Sequence, residues 1–236
     1  MTDLVALKAA NANRWARAKL TRNFTAVAKR LVAPTAKARY QAVAAKTGVP
    51  WFFIAVAHER EASQNWNTQL GQGDPLGSVS VHVPKGRGPF KTWEDGAYDA
   101  LVNCAPFAAR NKDWSIGGTL TMLEQYNGLA YANKGRPSPY IWAGTDVYDP
   151  PTGPGGKILV DHGPIENVTD KQLGCAGLLL AMMQIDSTIT FTGAAITPAP
   201  KPPPASPQSP SVTSPAKGSL GAFFVDLFKS MFGRKS

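Results

Sequence analysis

Apolar residues recur every three or four positions along most of the chain up to about residue 185, the period of helices packed on a core, and capping residues mark where each helix starts and stops. Leu4, Leu7, Trp15 and Leu20, then Phe24, Val27 and Leu31, space a pair of amphipathic helices through residues 3–32. Pro34 opens a third, carried by Tyr40 and Val43 to Gly48, and a fourth runs from about Pro50 to about Ala62. Thr92-Trp-Glu-Asp95 is a capping box for a helix through Ala97 and Leu101 to about Cys104. Ser115 caps another, with Ile116, Leu120, Leu123 and Tyr126 on one face, which ends at Asn127-Gly128. Thr169-Asp-Lys-Gln172 reads as a second capping box, leading into a helix over 173–185 that is apolar nearly all round and is therefore predicted to be buried and central.

The helical period lapses in three places. From Gln64 to Lys91 the texture turns to Gly, Pro, Ser and Asn, with the alternation Ser78-Val-Ser-Val-His-Val83 predicting a short strand in a lobe of loops. Residues 129–168 are aromatic and rich in Gly and Pro, and a connection of that length is uncommon unless it is functional. After about Thr197 the composition becomes Pro, Ala and Ser, a disordered linker over 197–217. Leu220, Phe223, Phe224, Leu227, Phe228, Met231 and Phe232 then line one stripe of a cationic helix over 218–236, suited to an anionic membrane surface, to a partner or to the folded domain itself. The organisation expected is basic N-terminal helices (1–48) packed on a catalytic domain (49–196), a linker and a tail helix.

Charge sharpens this division. The 236 residues carry a net +9, distributed as about +9 over residues 1–50, −4 over 51–196 and +4 over 197–236. That asymmetry suggests that both ends meet an anionic partner while the middle does the chemistry. The basic N-terminal residues have few aromatics between them and no nucleic-acid motif, so nucleic acid is not the expected partner. Cys104 and Cys175 sit among apolar neighbours and read as buried thiols, with a single bridge as the alternative. Asp3, Lys8 and Arg14 break up the first apolar residues, so no export signal is expected; nor does any stretch reach the ~20 apolar residues of a membrane span. Synthesis in the cytoplasm, with delivery to the site of action by other means, is the expectation.

The candidate chemistry centres on Glu61. At about 100° per residue, Trp51, Ile54, Ala55, His58 and Glu61 share one broad face of the fourth helix, and Glu59 points the other way. A carboxyl leaving the helix from its apolar stripe, close to the negative end of the helix dipole, has its pKa raised. A glutamic acid still protonated near neutral pH is what cleavage of a glycosidic bond requires. A second group would come from Asp74 in the loop that follows, either as base or nucleophile or simply as a turn residue before Pro75. His58 either orients Glu61 or is a satisfied core histidine, and exposed rings in 129–168 would stack on sugars, Trp142 being a platform or a core anchor.

The order of motifs His58-x-x-Glu61-x-Ser63, Gln72-Gly-Asp-Pro-Leu76, His82-Val-Pro84, Gly86-Arg87, Trp93-Glu94, Asp99-Ala-Leu101, Tyr126-Asn-Gly128 and Pro137-Ser-Pro-Tyr140-x-Trp142-x-Gly144-Thr145 resembles a lysozyme-like family of phages and bacteria, endolysins among them. More loosely it is similar to the superfamily of lysozymes and lytic transglycosylases, with Ala62 where that superfamily often has serine. The resemblance spans roughly 49–185. It implies a mainly α, lysozyme-like α+β fold with a small loop or hairpin lobe, Glu61 as general acid, and Tyr126 and Asn127 bordering the substrate. The substrate implied is the β-1,4 glycan of peptidoglycan, with chitin-like polymers second. The catalytic candidates are then Glu61 and Asp74, and the substrate-contacting candidates His58, Ser63, His82, Tyr126, Asn127, Tyr140 and Trp142. No metal or cofactor is expected, and a monomer is. If no second carboxylate lies close, a lytic transglycosylase becomes the better description.

Two other classes compete. A zinc amidase or peptidase would use His58, His82 and His162, although His58-Glu-Arg-Glu-Ala62 lacks the second histidine of a His-Glu-x-x-His motif. A non-enzymatic, membrane-active or virion structural protein would act through the tail helix.

Overall fold

The computed structural model describes residues 2–150, 152–154, 157–160, 163–166 and 169–192. The linker expected at 197–217, the tail helix expected at 218–236 and His162 lie outside the described residues. Within them the chain is mainly helical: α1 (Leu4–Trp15), α2 (Thr25–Leu31), α3 (Pro34–Thr47), α4 (Trp51–Ala62), α5 (Trp93–Val102), α6 (Ile116–Asn127), the single turn α7 (Pro139–Trp142) and α8 (Cys175–Met183). One antiparallel hairpin, β1 (Lys157–Val160) with β2 (Gly163–Glu166), pairs Lys157 with Glu166 and Val160 with Gly163.

The local signals that start and stop these helices are those of the sequence. The Asp3 carboxylate accepts the N–H groups of Val5 and Ala6 at the head of α1. Thr92 accepts from Asp95 N–H ahead of α5, and Ser115 from Gly118 N–H ahead of α6. Each supplies an acceptor to a backbone donor that the helix itself leaves orphaned. Pro34 opens α3, and Gly48 closes it with φ +73°.

Three expectations are corrected. Thr169-Asp-Lys-Gln172 does not cap α8: Gln172 N–H goes to the Asp170 carboxylate in a local turn, and the helix begins two residues later after Gly174. Ser78–Val83 alternates but forms no strand, because the Val81 and His82 N–H groups are taken by the Asp74 carboxylate. The alternation is inverted, with Ser80 buried and Val79, Val81 and Val83 51%, 65% and 54% exposed. In the stretch from 129 onwards the rings turn inward: Tyr131, Tyr140, Trp142 and Tyr148 are all buried, so they build core and not an exposed aromatic wall.

α4 is buried from Trp51 to His58 and lies against α3 and α8, while α2 and α7 also pack on α8 and α1 lies along α6. Cys104 and Cys175 are buried free thiols. Phe24 enters the core over Gly144 and Gly177; a Cβ on Gly144 would stand 2.6 Å from the ring, and one on Gly177 would overlap it. Among the described residues no helix is long and apolar enough to cross a membrane.

The basic N-terminal helices belong to the same core, and half of their cations are paired inside the molecule. Lys8 pairs with Asp113, Arg22 with Asp149, Arg30 with Glu59, Lys37 with Asp186 and Arg39 with Glu94. Each of these pairs joins a cation from the first fifty residues to an acid from the middle segment, so part of the asymmetry along the sequence is met by internal pairing.

Gly177→Ala is expected to destabilise the protein by about 1–3 kcal/mol through overpacking against Phe24, although alanine is by itself the better helix former by about 1 kcal/mol. Urea denaturation checks this, and an unchanged or raised midpoint would show that the ring yields; adding Phe24→Leu should restore much of the loss.

Candidate active site around Glu61

Helix α4 must end inside the protein, and the way it ends positions Glu61. Ser63 (φ +50°) and Gln64 (φ +58°) both take the left-handed conformation, and Gln64 N–H reaches back to His58 C=O. Neither is glycine, so the reversal costs on the order of 1–2 kcal/mol at each. Offsetting bonds are in place. Arg30 donates to Ser63 C=O at 3.2 Å, to Gln64 Oε1 at 2.8 Å and to both oxygens of Glu59 at 2.9 and 3.0 Å.

His58 completes that brace. Its Nε2 lies 3.0 Å from Asn65 C=O, which can only accept, so the proton is on Nε2 and Nδ1 accepts from Tyr40 Oη at 3.1 Å. Gln64 Nε2 in turn donates to Tyr40 Oη at 3.0 Å. Burial pushes the imidazole down to about 4, against the pull of the Asn65 carbonyl, so His58 is neutral and fully enclosed. The substrate-contacting and Glu61-orienting roles considered for it are corrected: it is a core histidine, closed to substrate and metal alike.

Glu61 lies three residues beyond His58 on the same helix. It is half-buried, and its Oε1 accepts from Tyr140 Oη at 2.8 Å. Burial pushes the carboxyl from the ordinary 4.5 up to about 7, while the Tyr140 hydrogen bond and the Arg60 charge pull it down. Since Tyr140 donates to Oε1, the carboxylic proton resides on Oε2. Tyr126, on α6, has its hydroxyl buried with no hydrogen-bond partner among the described residues, and burial together with Glu61 pushes that phenol well up. The hydroxyl faces the loop after α4, where a Cβ on Gly71 would come within 3.9 Å of it.

The remaining candidates divide. Ser63 is exposed beside Glu61, and Asn127 is half-buried at the end of α6. Tyr140 is buried, and its hydroxyl serves Glu61; Trp142 is wholly buried as a core anchor, so neither offers a ring face to a sugar. His82 Nδ1–H donates to Asp74 Oδ1 at 2.7 Å, and Asp74 Oδ2 accepts from Val81 N–H at 3.0 Å and His82 N–H at 3.1 Å. Asp74 thus organises its own loop. Among the described residues no cluster of His, Cys, Asp and Glu is grouped to hold a metal.

The sequence reading missed Arg60 and Asp170. Arg60, next to Glu61, is buried; its Nη2 donates to Asp170 Oδ2 at 2.9 Å, and its guanidinium lies 4.9 Å from the centre of the Tyr140 ring. Arg60 sits in the polar run His58-Glu-Arg-Glu61 and gave no distinctive signal, and its partner lies 110 positions on. Comparison with family models, with curated proteins and with solved structures gave no match.

A second buried carboxyl lies between α1 and α6. Glu124 Oε2 accepts from Asn11 Nδ2 at 3.3 Å, Asn11 also receives Arg14, and Glu124 Oε1 has no partner among the described residues. Burial pushes Glu124 up to about 7, against the Asn11 bond and the Arg14 charge. Glu61 and Glu124 therefore hold a proton more tightly folded than unfolded: the stability this confers is complete below about 4.5 and is lost as pH rises through about 7. At about 1.4 kcal/mol for each pH unit concerned, Glu124 accounts for roughly 3 kcal/mol and the half-buried Glu61 for less. Urea unfolding at pH 4.5 and pH 8 should show a smaller decline for Glu124→Gln than for wild type; equal declines would mean that the carboxyl is hydrated.

Proposed function

We propose that the protein cleaves the glycan strands of peptidoglycan, as a lysozyme-like endolysin with Glu61 as general acid. The observation that carries this reading is the half-buried Glu61 carboxyl, held by Tyr140 at the end of a buried helix and pushed up to about 7, so that a substantial fraction keeps its proton near neutral pH. The substrate class rests on the ordered motifs between His58 and Thr145 that resemble the phage and bacterial lysozyme-like family. A helical body with a loop lobe and one hairpin is compatible with the finer lysozyme-like fold that we infer from the same motifs. The tail at 218–236 would assist at an anionic membrane surface.

In the proposed reaction Oε2–H of Glu61 protonates the glycosidic oxygen as its bond to the anomeric carbon breaks. Tyr140 steadies the carboxylate left behind, and the buried Tyr126 hydroxyl lies behind the same site. A hydrolase then needs a second carboxylate for water or for the sugar, and Asp74 is poorly suited because three donors of its own loop hold it. Glu59, Asp99, Asp149 and Asp170 are each paired with an arginine. That observation favours a second reading, a lytic transglycosylase, in which the substrate's own 6-hydroxyl attacks and gives its proton to Glu61, so that one group serves as acid and then base.

Glu61→Gln should lower glycan cleavage of purified peptidoglycan by about 10²–10⁴-fold, and the wild-type rate should fall as pH rises past about 7. Mass spectrometry of the released fragments checks both activity and class: products lighter by one water identify the transglycosylase. Equal cleavage by the variant would remove Glu61 from the mechanism, and freed peptides with intact glycan would point to an amidase.

A further inference from the structure

The Glu61 carboxyl is faced by four side chains that ionise. Tyr140 comes from α7, Tyr126 from α6, Cys175 from α8 and Arg60 from α4 itself. The two phenols and the thiol are buried and pushed upward, so they are neutral over the working range. That leaves Arg60 as the one charge among these four. A guanidinium beside a carboxyl normally draws it into its anionic form, by about one to three pH units when close. Here Arg60 does pull the Glu61 carboxyl down, but burial outweighs it; the Asp170 carboxylate, 2.9 Å from the Arg60 guanidinium, makes the pair neutral as a whole and so limits that pull. Arg60 Nε and Nη1 have no hydrogen-bond partner among the described residues, so Asp170 is the anion that compensates this buried cation. The same guanidinium lies over the Tyr140 ring, whose hydroxyl bonds Glu61.

We infer that the Arg60–Asp170 ion pair is a positioning device for Glu61. Asp170 offsets part of the charge that Arg60 exerts on the carboxyl, and Arg60 holds the Tyr140 ring so that its hydroxyl meets Oε1. The inference rests on the proposed role of Glu61 for its functional meaning, but its electrostatic content is independent of any activity.

Opposite changes at the two ends of the pair must then act on Glu61 with opposite sign. Asp170→Asn leaves an uncompensated cation and favours the carboxylate, so Glu61 should titrate about one pH unit lower. Arg60→Gln leaves the Asp170 anion alone and should move the titration about one unit upward. The double variant removes both charges and should return it close to wild type. The readout is the carbon-13 shift of the Glu61 carboxyl in full-length protein, assigned by its loss in Glu61→Gln, with the pH profile of wall cleavage measured in parallel.

Should Asp170→Asn fail to fold, because a lone buried arginine is costly, the double variant still decides through comparison with Arg60→Gln, from which it must lie lower. Shifts of one sign in every variant, or no shifts, would reduce the pair to a packing contact and overturn the inference. Shifts of the expected signs in a protein that cuts no glycan would uphold the electrostatics while refuting the proposed function.

Discussion

The closure of α4 is the constraint on which the site depends. A helix buried from Trp51 to His58 brings its terminal carbonyls to a place where water does not reach freely, so side chains must do what solvent usually does. Two sets of them meet there. On one flank Arg30, Glu59, Gln64, Tyr40 and His58 form a relay in which each donor has an acceptor. On the other flank the relay from Asp170 through Arg60 and Tyr140 to Glu61 is incomplete, with two nitrogens of Arg60 and the hydroxyl of Tyr126 unmatched among the described residues. The first flank therefore gives rigidity, and the second keeps polar capacity in reserve around one carboxyl. A turn held firmly on one side and polar but unsatisfied on the other suits a group that must exchange a proton without moving.

The ion pairs have a related logic. Surface pairs contribute little to stability one at a time. Arg22 is a different case: it grips both oxygens of Asp149 and also donates to the carbonyls of Asp170 and Gln172. One guanidinium thus ties the segment before α2 to the chain after α7 and to the approach to α8. Because Asp170 is also the partner of Arg60, the seam made by Arg22 and the surroundings of Glu61 share a backbone segment.

Much of this was legible in the sequence, and the limits have physical causes. Helix starts at Pro34, Thr92 and Ser115 depend on local backbone geometry and contacts within three residues, so the residue types alone placed them, whereas the cap at Asp3 was not read. The inward turn of Glu61 followed from helical period. His58 was ambiguous because period gives direction and not partners, and its partners Tyr40 and Asn65 come from either side of α4. The strand expected at 78–83 failed because a distant carboxylate supplied the bonds that a neighbouring strand would have made. Tyr140 was expected to stack on sugar, but its hydroxyl is needed by a residue 79 positions earlier. Most of these misses are polar contacts made outside the helix or strand concerned, the kind of information that neither period nor propensity carries.

The pairing of early cations with late acids also has a consequence for how the chain comes together. Lys37 finds Asp186 across 149 positions, and Arg22 finds Asp149 across 127. Contacts of such sequence separation make folding slow, since the long loop must close before it is rewarded. During synthesis α1 to α3 leave the ribosome well before the residues that neutralise them. For that interval the nascent protein is a run of basic helices with its core face open, and only the arrival of the segment around Asp149, Asp170 and Asp186 converts it into the finished domain.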